Sequence, residues 1–473
     1  LERAVEYLSH PDESYQQCGA TSIQHTAFNE EQAKQEVLKL GGIPGLVSLL
    51  RSPNPNVSLA AAGALRNLVF KHQYNKLEVQ HCGGIAKALQ LLKETNSTET
   101  QKQITGLLWN MSSSDDLKAE LIATALPALT ENVMVPFTCW SDDTNNNNIH
   151  PDVFHNATGC LRLYYCKKKN VPSFCLFRNL SCGKQKARQA MRDCCGLIDS
   201  LMSYIQSCIA EENPDDKSVE NCVCILHNLT YQLEAERPQC FGKYQPKTDS
   251  EFDRQKSPIG CFSPKSTKAQ KEFSFDVTKM PEETTSSGVN WLCHPTAMHS
   301  YLSLLGSSQK DATLAASCGV LQNLTASKQP GASAMSQILV RKLGALAHIS
   351  SLLKSPNLSL QKKALSLLAN MSRTSCLQTS MAKQILPDLI SRLSNPGAVT
   401  DDVIAPACNT AGTLMLADTE FSKKMVTKEL VSGLADLSED DSFPKGSRAA
   451  SLLLYSMWND KNLQAAVKKV NYP

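Results

Sequence analysis

One short pattern recurs along the chain and constrains its fold more than any other feature. It is a helical apolar run ending in Asn followed by Leu or Met: AAAGALRNL to Leu68, QITGLLWNM to Met111, NCVCILHNL to Leu229, ASCGVLQNL to Leu324 and ALSLLANM to Met371. Two residues before each Asn stands Leu (65, 108, 226, 321, 368), and four before it a small residue: Gly63, Gly106, Cys224, Gly319 or Ser366. Leu at −2 and Leu/Met at +1 share one helix face, and the small residue admits a neighbouring helix. Degenerate copies fit the register near Gln24, Thr413 and Ser456. With Asn179 they place anchors at 24, 67, 110, 179, 228, 323, 370, 413 and 456.

A second motif keeps the same phase. GGIPGLVSLL from Gly41, GGIAKALQLL from Gly83, CGLIDSLMSYI from Cys195, LGALAHISSLL from Leu343 and ILPDLISRL from Ile385 each read as a Gly- or Pro-broken start to a middle helix. A period of about 42 residues with two or three helices per unit is the armadillo/HEAT range. The expected fold is therefore all-α: a right-handed superhelical armadillo solenoid of nine repeats, with a core continuous between neighbours. This replaces the three or so domains that 473 residues would otherwise suggest.

Two intervals break the period, and they set the expected boundaries. Repeats one to five occupy 1–236, a low-complexity insert 237–292, and repeats six to nine 293–473. From Pro238 to Gly288 the only branched aliphatics are Ile259 and Val277, too few to bury a helical face, so this stretch is expected to be an irregular, disordered loop. Phe241, Tyr244, Phe262 and Phe273 are candidates to pin it to the repeats. Ser257-Pro258 and Ser263-Pro264 are candidate phosphorylation sites or plain turns. In repeat four, Asn156-Ala157-Thr158-Gly159-Cys160-Leu161-Arg162 opens an anchored helix, but the extra segment 163–178 precedes Asn179-Leu180-Ser181. Pro172 and the Lys167–Lys169 run predict that about 163–172 loops out, with 173–181 supplying a replacement helix end.

Composition removes several classes. Lys+Arg 48 against Asp+Glu 45 is too balanced for a chain that coats nucleic acid by charge. No apolar run approaches a bilayer span, and the start shows neither a signal peptide nor an initiator Met, which is read as a fragment or processed form. The 18 Cys include several inside apolar helical patterns (Cys222, Cys224, Cys318, Cys408), as expected of reduced thiols packed as small hydrophobes. Cys293, His294 and His299 form the nearest approach to a metal cluster, without a C-x-x-C to complete it. No nucleophile elbow, P-loop, H-E-x-x-H or dinucleotide fingerprint occurs. No catalytic residue, metal or cofactor is expected, and the chain reads as a non-enzyme.

The strings GALRNLVF (63–70) with NKLE (75–78), ITGLLWN (104–110), DSL (199–201) with DDKSVEN (215–221), CILHNLTY (224–231), IGCF (259–262) and LQNLTA (321–326) resemble the plakophilins, desmosomal members of the delta-catenin family. The resemblance covers the whole chain but lacks that family's N-terminal head. It implies an intracellular scaffold at the desmosome, the cytoplasm and the nucleus. Its partners would be desmosomal cadherins, desmoplakin, plakoglobin and keratin filaments, mostly through the head. The segment 163–178 interrupts the family's G-C-L-R-N-L-S string, as a splice insert or a gene-model error would. By resemblance to the cadherin-tail groove, the partner-binding positions are His25, Lys34, Lys76, Trp109 and Asn110. The anchors Asn67, Asn179 and Asn228 join them as groove amides able to read an extended, acidic peptide. The same Asn residues could instead bond neighbouring repeats. A nuclear-import adaptor would carry Trp at −4, where this chain has only small residues. A nuclear or RNA-linked role would require a local basic groove.

Overall fold

A computed structural model describes residues 1–139, 149–162, 185–244, 285–394 and 400–471. The chain divides into two compact units, 1–229 with 286–292, and 230–285 with 293–473. All regular elements among the described residues are helical, and both units are stacks of armadillo repeats.

The Asn-anchored runs form the third helix of each repeat: Glu13–Asn29, Pro55–Val69, Thr98–Ser112, Pro151–Leu161, Val219–Thr230, Asp311–Thr325, Leu358–Met371, Asp401–Ala417 and Pro444–Asn459. Their starts are set by side chains that satisfy orphan amides. Asn54 accepts from the Asn56 N–H at 2.9 Å, and Asn357 from that of Ser359 at 2.9 Å. The Leu at −2 and the Leu/Met at +1 are all buried, none more than 3% exposed. Burying such a side chain contributes about 1.5–3 kcal/mol, so the motif's two apolar positions supply most of the drive to stack. Within each unit, consecutive third helices pack side by side.

The second motif starts helices at Gly42, Gly84, Leu197 and Ala345. Each follows a glycine in the left-handed region, Gly41 (φ 70), Gly83 (φ 71), Gly196 (φ 79) and Gly344 (φ 63), which reverses the chain without a Cβ penalty. The expected break at Ile385 does not occur. Ser375–Ser394 is one continuous helix that carries Pro387 inside it. This copy lacks the glycine, so nothing turns the chain there.

The ends of the expected insert depart from an irregular loop. Pro238–Tyr244 and Gly288–Cys293 form 3-10 turns. Phe241 and Tyr244 are fully buried, and Tyr244 Oη donates to the Cys293 carbonyl at 3.2 Å. These aromatics do pin the segment, as expected; Phe262, Phe273, both Ser-Pro pairs and the extra segment 163–178 lie outside the described residues. The stretch Asp115–Thr138 is long and apolar enough to cross a membrane, although none was expected. In this fold Leu121, Ala125, Leu129 and Val133 are buried from it into the repeat core.

Candidate peptide-binding groove

In the first repeats, the residue just before an anchor lies over a glycine of the next repeat. A Cβ on Gly106 would meet Arg66 Nε at 2.5 Å, and one on Gly159 would meet the Trp109 indole at 2.6 Å. Glycine at −4 therefore makes a bed for a large side chain from the preceding helix. Gln24 bears the same relation to Gly63, with its amide 2.5 Å from the Cβ position. This shifts the first anchor by one residue: His25, not Gln24, occupies the Asn position. The register is fixed independently by hydrogen bonds, described next.

Asn67 Nδ2 donates to the Gln24 carbonyl at 2.9 Å, Asn110 Nδ2 to that of Arg66 at 3.0 Å, and Asn370 Nδ2 to that of Gln322 at 3.1 Å. Each amide bonds the −1 carbonyl of the preceding repeat, so the anchors stitch third helix to third helix. A parallel ladder runs two turns earlier. Asn156 Nδ2 reaches the Lys102 carbonyl and Thr105 Oγ1, and Asn221 Nδ2 reaches the His155 carbonyl and Thr158 Oγ1. Thr413 and Ser456, the degenerate anchors, bond carbonyls four residues back in their own helices. Asn110→Ala is expected to cost about 1–2 kcal/mol in urea unfolding while changing peptide affinity less than about twofold. A tenfold loss of affinity with unchanged stability would instead make the amide a peptide contact.

These helices enclose a cavity of about 1020 Å³ lined by His25, Lys34, Asn67, Trp109 and Asn110 among the expected positions. Phe28, Arg66, Phe70, Lys71 and Arg162 also line it, and among the described residues no Asp or Glu does. Phe28 is 78% exposed and Phe70 43%. Both stand three residues after their anchors, as does exposed Tyr231 after Asn228, and that periodicity is visible in the sequence once His25 is the first anchor. Arg66 and Lys71 were missed for want of a partner register; large residues at −1 facing glycines at −4 were the available signal.

The cations differ in how far they are neutralised. Lys34 Nζ pairs with Glu31 at 2.6 Å and donates to the Phe70 carbonyl at 3.0 Å. Arg162 pairs with Glu220 and donates to Asn221 Oδ1 at 2.7 Å. Arg66 donates to Gln103 Oε1 at 3.3 Å and has no carboxylate partner. Burial pushes its guanidinium below the ordinary arginine value. Lys71 sits 5.2 Å from the Phe70 ring centroid, on a backbone with φ 57, also without a carboxylate. Beside them, His155 packs edge-on to Trp109 at 5.5 Å; burial, then the Lys217 cation, hold its imidazole below the ordinary value.

Lys76 is not part of this lining. It is 5% exposed, and its ammonium donates to Ser113 Oγ at 2.7 Å. Lys34, the same position one repeat earlier, is 3% exposed and already ion-paired, so neither is a free groove lysine. Both reach the C-terminal end of their own repeat's third helix, where carbonyls favour a cation. Asn228 lies on its expected helix but does not line the cavity, and Asn179 is outside the described residues. Cys293 donates to the Cys240 carbonyl and His294 caps the helix Pro295–Ser307, so both have structural roles. Among the described residues no group of three or more His, Cys, Asp or Glu could hold a metal ion.

The Armadillo/beta-catenin-like repeat family matches residues 30–70, 72–113 and 334–373. The chain is thus an armadillo-repeat protein. Mouse Plakophilin-2 is 41% identical over 100% of this chain and 59% of its own length, and human Catenin delta-2 is 33% identical over 99% of the chain and 39% of its own length. The repeat domain is of the plakophilin type, and the chain spans a little over half the length of the plakophilin it matches. A crystal structure of an engineered protein aligns with 99% of this chain and 97% of its own at TM-score 0.59 and 17% identity, a likeness of fold.

Proposed function

We propose that this chain is the repeat domain of a non-enzymatic scaffold at cell–cell junctions, and that it holds an acidic, extended peptide across its first four third helices. The observation that carries this reading is a cavity lined by Lys34, Arg66, Lys71 and Arg162, with Phe28, Phe70 and Trp109, and by no carboxylate. Cations supply attraction and register for an acidic tail, while the aromatic rims bury its apolar side chains. The likeness to plakophilins supports reading the protein as a member of the desmosomal plaque, with desmosomal cadherins, plakoglobin and desmoplakin as partners and a route to keratin filaments through a head region. Proximity labelling of the full-length protein in epithelial cells should recover these partners; recovery of none rejects the desmosomal assignment.

A nuclear or RNA-associated role is the second reading, favoured by the same local run of cations beside Trp109. Only Arg66 and Lys71 among those cations lack a carboxylate, few phosphate contacts by the standard of nucleic-acid binding. The peptide reading therefore ranks first.

A further inference from the structure

The groove cations do not ask for equal charge along its length. Glu31 and Glu220 already neutralise Lys34 and Arg162. Arg66 and Lys71 are left as two cations lining the same cavity, neither with a carboxylate partner among the described residues. Arg66 cannot retreat into solvent as a surface arginine would. Its stem and Nε lie on the bare backbone of Gly106, with Nη1 turned to Gln103. That seating spends one of five N–H donors and leaves the rest of a planar fork for an oxyanion. Lys71 is held in the left-handed region, a conformation that a non-glycine residue keeps only where its surroundings over-determine it. The Phe70 ring has the Lys34 ammonium 5.4 Å and the Lys71 ammonium 5.2 Å from its centroid.

Two unmatched cations exceed what one carboxylate can neutralise. A phosphomonoester carries a charge of about −1.5 to −2 and three acceptor oxygens, enough for a bidentate guanidinium and an ammonium together. Resting on the groove reading above, we infer that Arg66 and Lys71 form a receptor for a phosphoryl group on the bound peptide, so that the groove prefers a phosphorylated acidic segment to its unmodified form. Phosphorylation of the partner would then strengthen the scaffold contact rather than weaken it, since no acidic residue of the lining opposes the added charge.

The test uses the whole chain and three fluorescent pools of ten-residue acidic peptides, alike except for Ser, phosphoserine or Glu at the central position, read by anisotropy. The phosphoserine pool is expected to bind at least about tenfold more tightly than the Glu pool. Arg66→Lys keeps the charge but loses the fork, and is expected to cut that preference below about threefold. Equal binding of the phosphoserine and Glu pools overturns the phosphoryl receptor and leaves the acidic-peptide reading standing. A preference that survives Arg66→Lys also overturns it. Binding by no pool overturns both. Capture of vesicles containing a phosphoinositide, with no discrimination among the pools, assigns the cations to a lipid headgroup and overturns it as well.

Discussion

The double variant Arg66→Glu/Lys71→Glu is expected to lose affinity for an acidic peptide by about 100-fold or more, with no matching loss of stability. Each substitution turns an attraction into a like-charge contact in a partly desolvated groove, where such changes cost about 2–5 kcal/mol, and each 1.4 kcal/mol is tenfold. Stability should hold because neither side chain gives up a carboxylate partner among the described residues; Arg66 bonds Gln103 and rests on Gly106, and Lys71 lies by the Phe70 ring. The residual binding should strengthen rather than weaken as salt is raised, since screening now relieves a repulsion. Anisotropy at two ionic strengths, with a thermal melt as control, reads both. Wild-type affinity in the double variant would remove the groove from the protein's function.

Lys76→Glu is expected to destabilise the first unit by about 3–5 kcal/mol, whereas Lys76→Met should cost less than about 1 kcal/mol or stabilise slightly. The ammonium is 5% exposed, burial pushes its proton affinity down, and its one acceptor is Ser113 Oγ. A buried, weakly compensated charge is expensive, so a methionine of similar shape gives up little. A glutamate puts the wrong sign at the end of Thr98–Ser112, where helix carbonyls already concentrate negative charge. Urea titrations of both variants measure the difference. Equal, small effects would mean that Lys76 is solvated after all and open to a ligand. On sequence grounds this lysine belonged to the groove; its burial makes charge reversal there a folding experiment, while Arg66 and Lys71 are where binding is tested.

Several parts of the site were legible in one dimension. His25, Asn67, Trp109 and Asn110 all line the cavity. His25, Trp109 and Asn110 are reached through the resemblance to the cadherin-tail groove, and Asn67 as an anchor amide of the repeat. Lys34 and Lys76 come from the same resemblance, and a matching position says nothing about whether a long side chain ends in solvent or on a neighbour's carbonyl or hydroxyl. The one-residue slip at His25 has a similar origin. With no Asn in the first copy, the register is set by the seating of Gln24 against Gly63 and by the bond from Asn67 Nδ2 to the Gln24 carbonyl. At Ile385 a proline stood in for the missing glycine in the pattern, yet a proline inside a helix need not end it when neighbouring repeats hold both halves.

What the sequence determined by itself was the repeat: its period, its helices, the apolar pair at −2 and +1, and the glycines at 41, 83, 196 and 344 that separate helices. These are local or periodic properties, set by side-chain chemistry and backbone sterics within a few turns. Only the tertiary structure decided what the anchors do and which cations are free. Asn110 turns out to bond the Arg66 carbonyl 44 residues away, and Glu31 and Glu220 silence two of the groove's charges while Arg66 and Lys71 stay open. Those outcomes depend on which atoms of successive repeats come within about 3 Å, a distance that no spacing along the chain encodes.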